Sequence, residues 1–176
     1  MRLAACETPV GRLTLVAGDA GLRRVLWPGE APPVGAEPGT DPVLDAAIAQ
    51  LEEYFAGARK AFDLPLDLAG TAFQRRAWLE LAAIPYGATR SYGAQAQRLG
   101  RPGAARAVGA ANARNPLPIV LPCHRLVGAR GALTGFAGGL EVKRALLAYE
   151  ARAAGAGGGA AGTSRTRTSR GRPRRT

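Results

Sequence analysis

The neighbouring residues Cys123 and His124 are the pair in this sequence best suited to chemistry. His124 is the only histidine of the chain, and Cys123 is one of two cysteines. A thiol has an ordinary pKa of about 8.5, so a reactive cysteine needs a nearby base or positive charge, which His124 and Arg125 can supply. The alternative is a buried structural cysteine beside a chance histidine, and the dipeptide alone favours that alternative.

The bulk composition excludes several other kinds of site. The 176 residues can bury one large core or two small ones. Two cysteines far apart give no disulfide framework, and one histidine leaves too few ligands for an ordinary zinc site, so we expect no metal. A reducing cytoplasm fits this cysteine usage. No apolar run approaches the roughly 18 residues of a membrane span, so we expect no membrane partner.

The net charge of +11 is unevenly distributed along the chain. Residues 151–176 hold seven arginines and no acidic residue, which leaves +4 for residues 1–150. The Ala, Gly, Ser and Thr between these arginines cannot bury enough apolar surface to fold, so we expect a disordered basic tail over 151–176. Such a tail commonly adds salt-sensitive attraction to phosphates, and an inert solubilising extension is the alternative.

The first 70 residues predict a small α/β unit. Three strand-like runs are separated by turn residues at regular intervals, namely residues 2–6, 12–17 and 22–27. This spacing is typical of an antiparallel meander. Asp41 followed by Pro42 can begin a helix, and apolar residues recur at helical spacing as far as Phe55. Residues 62–68 alternate apolar and polar side chains like a further strand.

Residues 71–150 predict a second, helical unit. Thr71 and Gln74 can form the capping box of a helix that stops before Pro85. After a glycine-rich loop, the unit closes with an amphipathic helix that we expect to end at Glu150.

Between these helices, the sequence predicts two short helices joined by a turn, the pattern of a helix-turn-helix. Ser91 can cap the first, and the second covers about residues 104–113. Alanine and glycine leave the second helix nearly smooth, with Arg106 as its main projecting group. A smooth helix usually packs against another helix, but a thin helix with one long cation also suits entry into a nucleic-acid groove. Both interpretations can hold on opposite faces.

Several short motifs follow one another along the second unit. They are Ile84-Pro85-Tyr86-Gly87, Ser91-Tyr92, Ala105-Arg106-Ala107-Val108-Gly109, Asn115-Pro116, Pro122-Cys123-His124-Arg125 and Gly138-Gly139. In this order they resemble the 6-O-alkylguanine-DNA alkyltransferases, also called methylated-DNA-protein-cysteine methyltransferases. The resemblance implies an α/β (α+β) fold: a ribonuclease-H-like domain over 1–70, then a DNA-binding and alkyl-acceptor domain with a winged helix-turn-helix over 71–150.

The resemblance also implies a reaction, namely the irreversible, stoichiometric transfer of an alkyl group from 6-O-alkylguanine in DNA to Cys123. His124 would be the base that activates the cysteine through a water, and Glu150 the carboxylate that orients His124. Because consecutive side chains of an extended segment diverge, we expect no direct bond between Cys123 and His124. Tyr92 would donate its hydroxyl to the guanine, and Asn115 would tie the helix-turn-helix to the cysteine segment.

The expected partner is double-stranded DNA that contains 6-O-alkylguanine, bound by a monomer, with cooperative binding left open. The target atom lies inside the duplex, so the nucleotide would be flipped out at a cost of a few kcal/mol. The resemblance implies that the second short helix enters the minor groove and that Arg106 fills the space left by the base. DNA contacts are implied for the residues around it, namely Ser91, Gly103, Ala104, Ala105, Ala107 and Gly109.

The resemblance places the alkylated guanine in a pocket of five residues, namely Pro122, Leu126, Phe136, Ala137 and Gly138. Relatives often carry Val at the position of Leu126 and Tyr at the position of Phe136. The missing hydroxyl at Phe136 bears on the preferred size of the alkyl group and not on the reaction itself. The preferred alkyl group and the repair of 4-O-alkylthymine stay open.

Two other functions stay open. A non-catalytic lesion-binding protein of the same shape would lack the acceptor cysteine, so the presence of Cys123 argues against it. A thiol hydrolase with a Cys-His pair would convert many substrate molecules, whereas an acceptor stops after one. We therefore expect a cytoplasmic alkyl acceptor that repairs DNA by direct reversal.

Overall fold

The computed structural model describes residues 1–156, which fold into an N-terminal sheet with one covering helix and a mainly helical C-terminal part. The mixed α/β class predicted from the sequence is confirmed. Residues 157–176 of the predicted disordered tail lie outside the described residues, whereas residues 151–156 belong to the last helix, so the tail was predicted to begin too early. No helix within residues 1–156 is both long and apolar enough to cross a membrane.

The N-terminal sheet is built on the predicted meander, which is confirmed. Its strands are β1 (Arg2–Thr8), β2 (Gly11–Gly18), β3 (Gly21–Leu26) and β4 (Glu37–Pro38), in the order β3-β2-β1-β4. The β1–β2 and β2–β3 pairs are antiparallel, and β4 pairs with β1 in parallel. The inward side chains of β2, including Leu13 and Leu15, are fully buried and form the floor of the core.

Helix α1 (Pro42–Phe55) covers this sheet. Asp41 caps it as predicted, because its carboxylate accepts a hydrogen bond of 2.8 Å from the backbone N–H of Val43. The helix buries residues three or four positions apart, namely Leu44, Ala47, Leu51 and Tyr54. Tyr54, on the last turn, is fully buried and reaches the C-terminal part.

The predicted strand over residues 62–68 is wrong. Only Leu66 pairs there, in an isolated parallel bridge with Leu22. Pro65 has no N–H and so cannot donate to a ladder, although its carbonyl accepts a hydrogen bond of 2.8 Å from the N–H of Leu22. The alternating apolar side chains are nevertheless half-buried, so the pattern identified the inner face and not the backbone pairing.

The C-terminal part begins with α2 (Ala72–Leu79), which is followed by a 3-10 turn over Glu80–Ala83. The predicted capping box is present: the Thr71 hydroxyl accepts from the N–H of Gln74, and the Gln74 side chain accepts from the N–H of Thr71. Trp78 is 2% exposed, and its indole N–H donates to the carbonyl of Ala111 at 2.8 Å. Trp78 therefore ties α2 to the second of the two short helices, which contains Ala111.

The two predicted short helices are α3 (Tyr92–Arg98) and α4 (Ala105–Asn112). Ser91 caps α3 by accepting from the N–H of Ala94 at 3.1 Å. Helix α4 packs Val108 and Ala111 against α2 and α3, and leaves Arg106 exposed. A small parallel sheet joins β5 (Arg90–Ser91) to β6 (Leu126–Val127) and so links the start of α3 to the chain after Cys123.

The closing helix α5 (Leu140–Ala156) does not end at Glu150, as the sequence predicted, but continues for six residues. The reason is packing against the chain. A Cβ on Gly57 would lie 3.9 Å from Ala153, and a Cβ on Gly87 would lie 2.9 Å from Ala154, so two glycines leave room for the added turns. Glu150 is consequently a buried residue inside the helix and not a solvated helix end.

Candidate active site

Cys123 follows a fully buried segment with an unusual backbone. Residues 117–127 are all buried, and Ile119 has a φ of 72°, in the left-handed region that β-branched residues rarely adopt. Such a conformation costs on the order of 1–3 kcal/mol and persists only where the surroundings fix it. Asn115 does so: its side-chain amide donates to the carbonyl of Leu121 at 2.8 Å, and its oxygen accepts from the N–H of Leu117 at 3.0 Å. These two bonds attach the Asn115 side chain to the backbone on both sides of Ile119.

The backbone over Cys123–Arg125 is a 3-10 turn and not the extended segment expected from the sequence. The N–H of Arg125 donates to the carbonyl of Pro122 at 3.0 Å, which closes the turn. The turn directs consecutive side chains to different sides of the segment, as the extended backbone would also have done. Cys123 lies on one side, and His124 lies fully buried behind it.

On the Cys123 side is an open cavity of about 820 Å³, which we call the front cavity. Its walls come from α3, α4, the cysteine segment and the glycine-rich loop. The lining residues are Ser91, Tyr92, Gly93, Ala105, Arg106, Gly109, Asn112, Ala113, Asn115, Pro118, Cys123, Ala129, Thr134, Gly135, Phe136 and Ala137. Residues from four of the sequence motifs thus line one space.

The thiol of Cys123 is a neutral group in this environment. Burial raises its pKa to about 11, although the Asn115 side chain and the charge of Lys143 act in the opposite direction. A thiol with this pKa is a poor nucleophile at neutral pH. Its activation therefore has to accompany the arrival of a substrate, with a base ready to take the proton.

His124 is held in the form that such a base needs. Its Nε2 lies 2.7 Å from Glu150 Oε1, so Nε2 carries the proton and donates it to the carboxylate. Burial lowers the pKa of His124, while Glu150 raises it, and the net shift is downwards. The neutral imidazole then presents Nδ1 as an acceptor, and Nδ1 has no hydrogen-bond partner among residues 1–156.

Glu150 is the centre of a buried group that we call the carboxylate cluster, formed with His124, Arg125 and Tyr54. Arg125 forms a bidentate ion pair with Glu150: its Nε lies 2.9 Å from Oε2, and its Nη2 lies 2.9 Å from Oε1. The N–H of Gly87 donates to Oε2 at 3.0 Å, and the Tyr54 hydroxyl donates to Oε1 at 2.7 Å. Burial alone would raise the pKa of Glu150, but the hydrogen bonds and charges of His124 and Arg125 outweigh it and hold the pKa at about 2.

Tyr92 lies across the front cavity with its hydroxyl protonated. Burial raises the pKa of this hydroxyl, whereas a hydrogen bond with Thr134 lowers it in part. The ammonium of Lys143 lies 5.9 Å from the centre of the Tyr92 ring and donates to the carbonyl of Thr134 at 2.8 Å. Lys143 therefore connects α5 to both Tyr92 and the glycine-rich loop.

The N-terminal unit supports the glycine-rich loop through one tryptophan. The rings of Trp27 and Phe136 meet edge to face with centroids 5.5 Å apart. A Cβ on Gly138 would lie 2.8 Å from the Trp27 ring, so only glycine allows this contact without movement. Phe136 and Ala137, which line the front cavity, are thus positioned partly from outside the C-terminal part.

The other predicted site residues divide into two groups. The structure brings Cys123, Tyr92, Arg106, Ser91, Ala105 and Gly109 to the front cavity, together with Asn115, Phe136 and Ala137. Three predicted DNA contacts, Gly103, Ala104 and Ala107, lie on or beside α4 but do not line this cavity. Three predicted pocket residues do not line it either: Leu126 is fully buried in β6, Pro122 lines a second cavity of about 500 Å³, and Gly138 lies against the Trp27 ring.

Sequence reasoning missed three residues of the site. Arg125 was treated only as a charge near the thiol, yet its guanidinium neutralises Glu150. Lys143 is a buried lysine on the face of α5 that also carries Leu146 and Glu150, and this 3-4 spacing of charged residues with an apolar one was a usable signal. Tyr54 offered no signal, because its partner lies 96 positions later.

Fold and site together define a class of protein that presents a buried cysteine, backed by a histidine and a carboxylate, beside an exposed helix with one projecting arginine. Two family models match the chain: the ribonuclease-like domain of 6-O-methylguanine DNA methyltransferase over residues 1–68, and the DNA binding domain of the same over residues 72–152. The chain belongs to the 6-O-methylguanine DNA methyltransferase family.

Individual relatives agree with this assignment. A methylated-DNA–protein-cysteine methyltransferase of Mycolicibacterium paratuberculosis is 50% identical over 149 residues, which is 83% of this chain and 90% of the relative. The constitutive one of Bacillus subtilis is 46% identical over 151 residues, covering 82% and 92%. The crystal structure of Mycobacterium tuberculosis OGT in complex with DNA superimposes with a TM-score of 0.81 at 45% identity, covering 87% of this chain and 94% of that one.

Proposed function

We propose that this protein repairs DNA by direct reversal, as a methylated-DNA–protein-cysteine methyltransferase that moves an alkyl group from the O6 atom of guanine in duplex DNA to Cys123. The observation that carries this proposal is the position of Cys123 on the wall of the front cavity while the adjacent His124 is hydrogen-bonded to Glu150 behind it. Family membership supports the same activity.

The reaction forms one bond and breaks one. The Cys123 sulfur attacks the alkyl carbon, and the bond between that carbon and guanine O6 breaks as the new S–C bond forms. The thiol proton passes through a water to Nδ1 of His124, which the Nε2–Glu150 hydrogen bond leaves unprotonated. Guanine leaves as a neutral base after gaining a proton, for which we propose the Tyr92 hydroxyl, kept protonated by its raised pKa, as the donor. The proton that His124 took from the thiol then returns through solvent to Tyr92, so both side chains regain their starting forms. The resulting thioether has no route back to a thiol, so each molecule reacts once.

DNA reaches the cavity along α4. The helix offers small residues that permit close approach, and Arg106 projects from its first turn into solvent. We infer that the damaged nucleotide rotates out of the duplex into the front cavity and that Arg106 takes its place in the stack. The reaction then takes place in a monomer inside the cytoplasm, with no cofactor.

The test is an intact-mass measurement after incubation with a duplex that contains 6-O-methylguanine. We expect a gain of one methyl group on Cys123 and the appearance of unmodified guanine in the DNA. Cys123→Ala abolishes transfer and retains binding to the duplex, and Cys6→Ala, which changes the chain's other buried thiol, serves as the matched control.

The stoichiometry separates this proposal from the alternatives. Product that stops at one equivalent per protein molecule identifies an acceptor, whereas product far above one equivalent identifies a hydrolase. A protein that binds the damaged duplex and stays unmodified under saturating substrate contradicts the proposal and identifies a lesion-binding protein.

A further inference from the structure

Tyr54 belongs to the N-terminal unit, yet its hydroxyl lies in the carboxylate cluster of the C-terminal part. The residue is fully buried on the last turn of α1, and its hydroxyl is 2.7 Å from Glu150 Oε1. An ionised carboxylate only accepts hydrogen bonds, so Tyr54 is the donor. Burial raises the pKa of the Tyr54 hydroxyl, as does the nearby charge of Glu150, so the proton needed for this bond stays in place.

The oxygen that receives the Tyr54 proton is the one that holds His124. Nε2 of His124 is also 2.7 Å from Oε1, and Nη2 of Arg125 donates to the same oxygen at 2.9 Å. Oε2 accepts from Nε of Arg125 and from the N–H of Gly87. Three donors on one oxygen share its negative charge, so each hydrogen bond reduces the attraction of that oxygen for the other two donors. Removing the Tyr54 proton would leave Oε1 a stronger acceptor for His124.

We propose that Tyr54 is a positioning residue for alkyl transfer: its hydroxyl fixes Glu150 Oε1 and limits how strongly that oxygen attracts the His124 proton, so that the N-terminal unit completes the active site. This inference rests on the proposed function, because His124 is assigned there as the base. The N-terminal unit, whose sequence shows no obvious chemistry, would then contribute to the reaction through Tyr54.

The titratable groups that face His124 and Glu150 come from four parts of the chain. Arg125 lies on the same 3-10 turn as His124, Lys143 lies on α5, and both lower the pKa of His124, whereas Glu150 raises it. Tyr54 on α1 and Tyr86, in the segment before β5, face Glu150 as neutral hydroxyl groups. Replacing Tyr54 by Phe leaves every charge in place, so a change in the basicity of His124 follows from the lost hydrogen bond alone.

The experiment compares single-turnover transfer from a duplex with 6-O-methylguanine between the wild-type protein and Tyr54→Phe over a range of pH. We expect the variant to react about tenfold more slowly near neutral pH, the effect of one ordinary hydrogen bond. The acid limb of its profile moves to higher pH, because Oε1 now holds the protonated form of His124 more strongly. Affinity for the duplex stays unchanged, since Tyr54 lies behind the cysteine segment.

The single histidine of the chain gives a direct second readout. Labelling histidine with nitrogen-15 produces one pair of imidazole signals, and these report the tautomer and the pKa of His124 without assignment work. We expect the pKa of His124 to be higher in Tyr54→Phe than in the wild-type protein, with the proton of the neutral form on Nε2 in both.

Tyr149→Phe is the matched control. Tyr149 lies in the same group of aromatic rings, with its centroid 6.1 Å from that of Tyr54, and its hydroxyl donates to the carbonyl of Phe55 and not to Glu150. This variant removes one half-buried hydroxyl next to the carboxylate cluster. We expect it to keep the transfer rate, the pH profile and the His124 signals of the wild-type protein.

The outcomes separate this inference from the proposed function. A wild-type protein that transfers no methyl group refutes the function, whatever the variants do. A wild-type protein that transfers, with Tyr54→Phe matching Tyr149→Phe in rate and in His124 pKa, overturns the role of Tyr54. If Tyr54→Phe fails to fold, the wild-type protein can still test the inference. We expect its Tyr54 hydroxyl proton to exchange slowly with solvent and to lie close to the His124 Nε2 proton. A Tyr54 hydroxyl proton that exchanges freely overturns the inference.

Discussion

The two sides of the Cys123–Arg125 turn are built on opposite principles. The front cavity is open, lined mostly by small and apolar residues, and its one projecting cation, Arg106, makes no hydrogen bond within residues 1–156. The carboxylate cluster behind it is fully buried, and both oxygens of Glu150 accept hydrogen bonds from several donors. The front cavity is thus open to a binding partner, whereas the oxygens of Glu150 behind the turn already have their hydrogen-bond donors.

This difference separates recognition from chemistry. The alkylated guanine is bound only once, so its pocket need not be rigid before DNA binds. The group that takes the thiol proton must already be correctly oriented when the guanine reaches Cys123. We therefore expect substitutions behind the turn to cost both stability and rate, and substitutions in front to cost only reaction with DNA.

The strongest test of this comparison is Glu150→Gln. Gln keeps the size of the side chain but leaves the buried guanidinium of Arg125 without its counter-ion, so we expect unfolding in urea to show a loss of about 3–5 kcal/mol. Transfer falls by roughly 100-fold or more, because His124 loses the carboxylate that orients it. The matched control is Glu141→Gln, which removes an exposed glutamate in the first turn of the same helix. Equal effects of the two substitutions would contradict a special role for the cluster.

The pH dependence of the free energy of unfolding also tests the carboxylate cluster, with a smaller expected effect. The pKa of Glu150 is about 2 in the folded protein against an ordinary 4.5, so the unfolded chain binds this proton more readily. The stability that the carboxylate contributes is full above about pH 4.5 and is lost as the pH falls towards 2, for a total of about 3 kcal/mol. His124, whose pKa burial lowers from 6.5, acts in the same direction below about pH 6.5.

Urea unfolding of the wild-type protein and Glu150→Gln at pH 7, 5 and 3 measures this effect. We expect the two proteins to differ most at pH 7 and to converge as the solution becomes more acidic. A gap that stays constant with pH would show that the carboxylate is not the titrating group.

The smallest expected effect is that of a substitution at the front cavity. Arg106→Ala leaves the midpoint of thermal unfolding unchanged, because the side chain is exposed and makes no hydrogen bond within the described part of the chain. We expect transfer from the duplex to fall about tenfold, while reaction with the free 6-O-methylguanine base is unaffected, because only a duplex has a stack to fill. Arg114→Ala removes the same charge from the residues after α4 and serves as the control. Equal losses from duplex and free base in Arg106→Ala would refute the role in the stack.

The sequence predicted what depends on local patterns. The meander, the Asp41 and Thr71 caps, and the short helices on either side of Gly103 all follow from turn residues and periodicity, and the structure confirms them. The strand predicted over 62–68 failed, because an alternating pattern shows which side is buried but not which backbone is near enough to pair. The end of α5 was placed too early, because the glycines that accept its last turns are far away in sequence.

The residues of the site also differ in how far the sequence could identify them. Cys123, His124, Tyr92 and Arg106 came from motifs whose order resembles one family, and the structure brings Cys123, Tyr92 and Arg106 to one cavity. The partners of Glu150 could not be found in this way, because Tyr54 and Gly87 meet it only through the packing of α1 and the segment after Pro85 against α5. Long-range contacts of this kind leave no local periodicity or spacing in the chain.

The two tryptophans have a practical consequence. Trp78 is bonded to the carbonyl of Ala111 on α4, and Trp27 lies against Phe136 and Gly138 of the glycine-rich loop. One indole is therefore attached to each of two walls of the front cavity, α4 and the glycine-rich loop, and the chain has no other tryptophan. The protein thus carries a pair of built-in optical reporters, so the arrival of a base between these walls can be followed by intrinsic fluorescence in real time without a dye on the protein or the DNA.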